Sequence, residues 1–433
     1  MKEWTEQQRK AISARNCNLL VSAGAGSGKT AVMLERICSL LREGADIRKM
    51  TMCTFTKTAA ADMRRKLSET LADCVEKTGD AWLEKQLARL PAAEISTLHS
   101  WCAHIIKKWF FYSDLEPEFT VAEEAEEAAL KSEAAEEVLE EEKERGDEAF
   151  AGLYAAFLSN RSHRRLKEAM LAVYDYSRAQ PNPDEWLLRS ASRKDSEYRE
   201  ILFSAIKRDA EKLVSDAEKL LADLAAAKFN KDYEALAVLK ECMESEVACT
   251  LTTPQLRNKP ELEELHARFK ELKAQYAELC RRREKIESMP SHETSLPYCR
   301  ALAELAFKLG EKYAASKREK GKADYSDLEH QTLKILGGEH GERILSEYTH
   351  VFVDEYQDIS PLQEEILKKF KCEMFFVGDV KQSIYGFRMC RPKFFIDKRE
   401  RYRKGEGKTV ELTANFRSGA KILNTVNGIF LQL

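Results

Sequence analysis

Ala23-Gly24-Ala25-Gly26-Ser27-Gly28-Lys29-Thr30 decides how the rest of the chain is read. A short apolar stretch, Asn18 to Ser22, runs into it. Beyond it, Val32, Met33, Ile37, Leu40 and Leu41 recur at helical spacing within Ala31 to Leu41. The order is strand, glycine loop, helix. Glycines let such a loop turn tightly and aim its N–H groups inward, the Lys ammonium reaches terminal phosphates, and the Thr hydroxyl can ligate the Mg²⁺ that rides on them. A nucleoside-triphosphate pocket is therefore expected here. Ala23 stands where the pattern has its first glycine, a mild departure, because Gly24, Gly26 and Gly28 carry the turn.

Composition sets the outer bounds. A chain of 433 residues is long enough for two to four domains, and 43% hydrophobic with 33% charged residues suits a helix-rich globular protein rather than a disordered one. No run of 18 apolar residues occurs and Met1 to Lys10 is polar, so neither a membrane span nor a signal peptide is predicted, and a cytoplasmic location is expected. The 11 cysteines form no C-x-x-C pair. That indicates neither zinc nor a disulfide framework, and predicts reduced thiols serving mostly as small buried hydrophobes. A net charge of −3 is no global basic signal, so any nucleic-acid contact must be local.

Outward from the loop, Thr5 reads as a helix N-cap with Gln8 at the capping-box position, and a carboxamide can pair with both the donor and the acceptor edge of adenine. Lys49 to Phe55 and Glu94 to Thr97 read as buried strands. Each feeds a helix, from Ala59 to about Glu76 and from Leu98 to about Phe110. Strands alternating with helices predict a parallel sheet covered on both faces, with ligands at the carboxyl ends of its strands. Phe55, Thr56 and His99 fall at those ends, where ring, hydroxyl and imidazole could meet a phosphodiester strand; a lone histidine more often serves the structure. His350 to Val353 is another such strand, ending in Asp354-Glu355. Beside a phosphate loop, that pair fits a division of labour in which Asp354 holds Mg²⁺ and Glu355 orients or deprotonates the attacking water. Glu373 to Val377 leads to Gly378-Asp379-Val380-Lys381-Gln382-Ser383-Ile384-Tyr385-Gly386-Phe387-Arg388. Here Gln382 could sense the γ-phosphate, Tyr385 and Phe387 could stack bases, and Arg388 could meet a phosphate.

From about Thr120 to Ser316 the texture changes to Glu, Lys, Ala and Leu, broken at Pro181, Pro183, Pro254, Pro260, Pro290 and Pro297. This predicts an all-helical insertion. The prolines exclude unbroken heptads over its whole length, so a globular domain is expected rather than a long coiled-coil arm. The acidic run Glu123 to Glu148 and the basic clusters Arg161-Ser162-His163-Arg164-Arg165 and Arg281-Arg282-Arg283 read as solvated helix charges, although either basic cluster could touch a phosphate backbone.

Gln8, Ala23 to Thr30, Thr54-Phe55-Thr56, Thr97-Leu98-His99-Ser100, Asp324-Tyr325-Ser326-Asp327-Leu328, Asp354-Glu355-Tyr356-Gln357-Asp358, Gly378 through Arg388 and Asn415-Phe416-Arg417-Ser418 follow one another as they do in superfamily 1 UvrD-type DNA helicases, which the chain resembles. Val377 to Phe387, Val351 to Asp358 and Asp324 to Glu329 look most like the AddA subunits of bacterial AddAB helicase-nucleases, with RecB-type subunits next. The resemblance covers about residues 3 to 120 and 320 to 433. The insertion matches in placement and character alone.

That resemblance implies a RecA-like P-loop ATPase acting on single-stranded and duplex DNA with ATP and Mg²⁺, away from any membrane and beside an AddB-like partner subunit, in double-strand-break processing and recombinational repair. It implies that Gln8 recognises adenine and that Phe416 packs on it. Lys29 and Thr30 would bind triphosphate and metal, Asp354 and Glu355 would be the metal and hydrolytic carboxylates, and Gln382 and Arg417 would sit on the γ-phosphate. Phe55, Thr56, His99, Tyr385, Phe387 and Arg388 would line the single-strand track. Lys57 stands where the family usually has Asn after T-F-T, which adds a charge beside that track. The expected organisation is an ATPase domain at 1–119 and 317–407, a helical insertion at 120–316 and, at 408–433, the start of a truncated second RecA-like domain. On this reading the chain is the N-terminal part of a longer enzyme that binds nucleotide but turns it over poorly. Two alternatives stand beside it: a noncatalytic DNA-binding module, and an SMC-like structural ATPase, whose Ser-Gly-Gly-Gln signature is missing before the carboxylate strand.

Overall fold

The computed structural model describes residues 3–158, 163–226, 230–244, 263–289 and 291–431. Its strands are β1 (Leu19–Ala23), β2 (Met50–Thr54), β3 (Glu94–Thr97), β4 (Thr120–Val121), β5 (Lys322–Ala323), β6 (His350–Val353), β7 (Glu373–Gly378) and β8 (Lys408–Leu412). Six of them form one sheet in the order β3-β2-β6-β7-β1-β8, and every pairing is parallel. Near-continuous apolar runs such as Leu19–Val21 and Met374–Val377 suit strands buried on both faces. Successive side chains alternate between two cores. Leu19, Val21, Met52, Phe352, Phe375 and Val377 pack with Val32, Met33, Ile37 and Leu41 of the helix Lys29–Arg42. Leu20, Cys53, Val351, Val353 and Phe376 pack on the other side with Trp101 and Ile105 of the helix Leu98–Lys108 and with Leu328 and Ile366. This is the expected α/β RecA-like fold. Because all six strands run the same way, their carboxyl ends, and every motif that follows one, open at one edge.

The strand Lys408–Leu412, expected to open a further domain, instead pairs with β1 over Leu19↔Lys408 to Ala23↔Leu412 and closes one edge of this sheet. A strand's own composition does not say which sheet it joins. The first helix, Glu6–Ser13, is clasped onto the sheet by buried Arg36. Its guanidinium donates to the carbonyls of Ala11 at 3.0 Å, Ile12 at 3.4 Å and Ala14, lies 3.7 Å from Glu373 and covers the Phe375 ring. Burial pulls that guanidinium down to about 10, against the opposing pull of Glu373.

Residues 1–187 and 304–433 form one compact unit and residues 188–303 a second. Within the first, β4 and β5 pair in parallel, and the acidic helix Glu124–Arg145 is not wholly solvated: Glu142 is buried and accepts from Lys308 at 2.8 Å. Lys317, 3% exposed, bridges Asp324 at 2.6 Å and Asp327, with the Tyr313 ring 4.1 Å beneath its ammonium. Burial works to raise the Asp324 carboxyl, but Lys317 overrides it and holds the group below its ordinary value.

The second unit carries a feature not singled out in the sequence. Its longest helix, Asp195–Ala226, buries Ile206, Ala210, Leu213, Ala217, Leu220 and Leu224, a heptad seam, against Phe269, Leu272, Tyr276 and Leu279 of the helix Glu263–Glu287. The prolines do bar heptads across the whole insertion, but this helix contains none. Of the basic clusters, Arg281, Arg282 and Arg283 pair with Glu278, Asp209 and Glu287, while Arg161 and Ser162 lie outside the described residues, as do Pro254, Pro260 and Pro290. Cys38, Cys53, Cys102 and Cys390 are buried; the other described cysteines are only partly covered or exposed, so the cysteines are less a core feature than expected.

Candidate nucleotide and single-strand site

The glycine loop leaves the end of β1 at buried Ala23 and turns through Gly24 and Ala25. Gly26 (φ 75°) and Gly28 (φ 85°) both occupy left-handed backbone that a side chain disfavours. Buried Ser27 ties the turn, its hydroxyl donating to the Gly24 carbonyl at 2.7 Å. Lys29 and Thr30 then open the following helix. Gln8, 4% exposed, lies against the loop: Oε1 accepts from the Thr5 N–H at 3.0 Å, completing the capping box, and Nε2 donates to the Ser27 carbonyl at 3.1 Å. The cap reading and the proximity reading of Gln8 therefore describe one residue. A second strap comes from the other end of the chain. Asn415 donates through Nδ2 to the Ala25 carbonyl at 2.9 Å, and the Phe416 N–H donates to the Gly26 carbonyl at 2.8 Å. A Cβ on Gly26 would fall 2.7 Å from the Arg417 Cβ, so only glycine lets this strap close on the loop. Phe416 presents its ring, 62% exposed, next to the loop, and Arg417 is exposed beside it.

Asp354 and Glu355 follow β6. Burial, and next the Glu355 charge, push the Asp354 carboxyl up to about 6. Glu355 sits in left-handed backbone (φ 51°, ψ 43°), uncommon for a residue with a side chain and costing on the order of 1 kcal/mol or more. Its carboxylate meets Lys29 Nζ at 3.1 and 3.4 Å and accepts from Gln357 Nε2 at 2.9 Å. Gln357 is buried at 2% exposure. The same Nε2 donates to Asp358 Oδ2 at 3.1 Å, and Oε1 accepts the Asp379 N–H at 2.9 Å. A Cβ on Gly378 would lie 2.3 Å from that Oε1, so Gly378 is required by close approach. Asp379 in turn accepts from Gln382 Nε2 at 2.6 Å, and Asp358 Oδ1 accepts the Ser383 hydroxyl at 3.1 Å.

Three residues on, this β7 loop carries aromatics. The Phe55 and Tyr385 rings lie 4.7 Å apart between centroids, and Tyr385 and Phe387 5.7 Å apart. Phe387 is 75% exposed, so it is not the core ring that a hydrophobic reading of the sequence would allow. Thr56 caps the helix Lys57–Thr78, its hydroxyl accepting the Ala59 N–H at 3.0 Å. The backbone of Arg388 follows Phe387 in a short 3₁₀ turn, while its side chain lies outside the described residues. His99 joins a different group: Nε2 is 2.9 Å from Oε1 of buried Glu329, and its ring lies tilted against half-exposed Tyr325 with centroids 4.6 Å apart. The fold thus gathers Gln8, the loop, Asp354, Glu355, Gln382 and the 415–417 strap on one side, and Phe55, Tyr385 and Phe387 on the other. The bridging roles of Gln357, Asp379 and Asn415 were not singled out in the sequence. A buried amide within D-E-Y-Q-D, two residues beyond the glutamate, was the available signal for the first.

An all-parallel sheet with a glycine loop after one strand and a carboxylate pair after another defines a P-loop nucleoside-triphosphatase fold. The family model for the UvrD/REP helicase N-terminal domain matches residues 4–403, and the chain belongs to that family. Among curated relatives, an ATP-dependent helicase/nuclease subunit from Carboxydothermus hydrogenoformans is 36% identical across 100% of this chain and 40% of its own length. The proteins of the same name from Geobacillus kaustophilus and Listeria welshimeri are 35% and 33% identical across 99% of this chain and 39% of theirs. The chain spans about two fifths of the length of these relatives. Among the described residues, no helix is long and apolar enough to cross a membrane.

Proposed function

We propose that this chain is the ATP-binding and single-strand-gripping part of a DNA helicase of the helicase-nuclease type, working in the cytoplasm on broken duplex DNA beside a second, AddB-like subunit. The observation that carries the reading is the β7 loop, which begins on the carboxylates beside the glycine loop and within a few residues carries half-buried Tyr385 and exposed Phe387, their rings tilted against each other. The relatives' name, which makes each of them one subunit of a helicase/nuclease, points the same way and supports a partner.

The residues present suit ATP with Mg²⁺. Gly26 and Gly28 leave a cradle without side chains, Lys29 brings a cation to it, and Asp354 is a carboxyl whose surroundings resist its charge, a site where a bound cation restores ionisation. Thr30 and Asp354 would hold the metal, which when bound neutralises charge on the phosphate oxygens. Gln8 and Phe416 would hold the adenine, by its edge and by its face. Gln382 and Arg417 would bind the γ-phosphate. Glu355, held by Lys29 and Gln357, would accept the proton of the attacking water at its carboxylate. On the other side Phe55, Tyr385 and Phe387 would stack bases without regard to sequence, with Thr56, Arg388 and, further along the strand ends, His99 contacting the backbone.

Calorimetry with ATP and Mg²⁺ tests the assignment. Wild type is expected to bind, and Lys29→Ala to lose most of the heat. Equal heats for the two proteins would overturn the nucleotide site.

A further inference from the structure

The helical insertion reaches the proposed single-strand path through one cation. The backbone at 390–391 is anchored to the segment after β6: the buried Cys390 thiol donates to the Asp358 carbonyl at 2.8 Å, and the Arg391 N–H to the Ile359 carbonyl at 3.1 Å. Exposed Arg391 is thereby set at the end of the aromatic loop, four residues beyond Phe387. Its Nη2 donates to the Tyr176 hydroxyl at 3.2 Å, and among the described residues no carboxylate lies within ion-pair distance of it. Lys398, Arg401 and Arg403, further along, each meet a glutamate. Tyr176 belongs to the helix Arg164–Arg178, and its half-buried ring lies against Trp186 with centroids 5.0 Å apart. Two residues on, Arg178 donates to the Ser326 hydroxyl at 3.2 Å and meets Asp327 at 3.4 Å. Tyr325, next to Ser326, is the residue whose ring lies against His99. Along this line of contacts Arg391 and Tyr176 stand between the Phe387 ladder and the His99 group.

We infer that Arg391 binds a backbone phosphate of the single strand between the base on Phe387 and the stretch that meets His99, and that Tyr176 of the helical insertion is the positioning residue that aims it. This inference rests on the functional reading above. A guanidinium carries five N–H donors, and the Tyr176 oxygen takes one of them. The others remain for the paired oxygens of a phosphodiester, whose match to the planar fork needs no base identity. A phenol is a neutral partner. It fixes the direction of the side chain and leaves the charge uncompensated, where a carboxylate would have cancelled it. An exposed arginine loses rotamer freedom when it grips a ligand, and the Tyr176 bond has already restricted this one. The insertion thereby joins the path through an aromatic hydroxyl rather than through its basic clusters.

The test is a salt titration of labelled oligo-dT binding, read by fluorescence anisotropy, on wild type, Arg391→Gln, Tyr176→Phe, the double variant and Lys371→Gln, with thermal melts of each. Lys371, which precedes β7 at the amino ends of the strands, is the control for a lost charge. Arg391→Gln is expected to weaken oligo-dT about 2- to 5-fold, the worth of one exposed charge contact, and to shrink the slope of log affinity against log salt by about 0.7, the release of one phosphate contact. Lys371→Gln should leave that slope as it is. Tyr176→Phe is expected to cost about 2- to 3-fold alone and nothing further in the Arg391→Gln background, because it acts through that side chain. An unchanged slope in folded Arg391→Gln overturns the inference, as does an equal change in Lys371→Gln, no loss from Tyr176→Phe, or a Tyr176→Phe loss that persists in the double variant. If Arg391→Gln melts below the assay temperature, Arg391→Lys, which keeps the charge and gives up the fork, is measured in the same way and must hold the slope while losing affinity. Failure of wild type to bind oligo-dT would overturn the functional reading itself.

Discussion

Replacing Asp354 by Asn should make the protein more stable while disabling the metal site proposed for it. The carboxyl is mostly covered, its ordinary value of 3.8 is pushed up to about 6 first by burial and then by Glu355, and its Oδ1 accepts the Glu355 N–H at 3.0 Å, a bond Asn can keep. The native state therefore binds this proton more tightly than the unfolded chain does. The sign follows: stability falls as pH rises from about 4 through about 6, and the penalty is complete above that window. Two units correspond to about 3 kcal/mol, which partial solvent contact reduces to about 1–2 kcal/mol. In a unit of this size the expected rise in Tm at pH 8 is about 2–6 °C. Melts of wild type and Asp354→Asn from pH 4.5 to 8 measure it. The advantage should shrink to roughly half at pH 5, to a small remainder at pH 4, and vanish only near pH 3, where wild type is protonated in both states. In the same variant Mg²⁺ should no longer strengthen ADP binding. A lower Tm for Asp354→Asn at pH 8, or a difference that does not change between pH 5 and pH 8, would refute the account of Asp354 as a carboxylate held at a cost for metal.

Phe387→Ala should leave Tm unchanged, because the ring is three-quarters exposed, and weaken oligo-dT by the worth of one stacked base, about 1–3 kcal/mol; anisotropy with parallel melts checks both, and a lowered Tm with intact affinity would remove Phe387 from the ladder. Lys317→Met should destabilise by about 3–5 kcal/mol in urea titrations, because it strands the buried Asp324 carboxylate while Asp327 keeps Arg178, and acidification that protonates Asp324 should recover part of the loss.

Local chemistry made much of this protein legible from its sequence. A glycine loop between an apolar run and a helical stripe, and carboxylates at the tip of an apolar run, are short-range patterns, and short-range spacing is what determines φ and ψ, strand burial and capping. So the loop at 23–30, the strands from Glu94, His350 and Glu373, the Thr5–Gln8 box and the parallel α/β class could all be read before any contact was known. What depends on residues distant in sequence could not. Lys408–Leu412 looks like any edge strand until Asn18 and β1 pair with it. The heptad seam of Asp195–Ala226 was obscured by prolines that lie elsewhere in the insertion. Whether Phe387 is core or surface is a matter of what packs on it, and the Phe55–Tyr385 stack joins residues far apart along the chain. Gln357 shows the limit most clearly: its amide acquires meaning only when β6 and β7 lie side by side and bring Glu355, Asp358 and the Asp379 N–H within hydrogen-bond range of one group. Spacing along the chain determined which chemical groups are present and the local backbone that bears them, whereas their convergence is a product of long-range strand pairing, which only the tertiary structure decides.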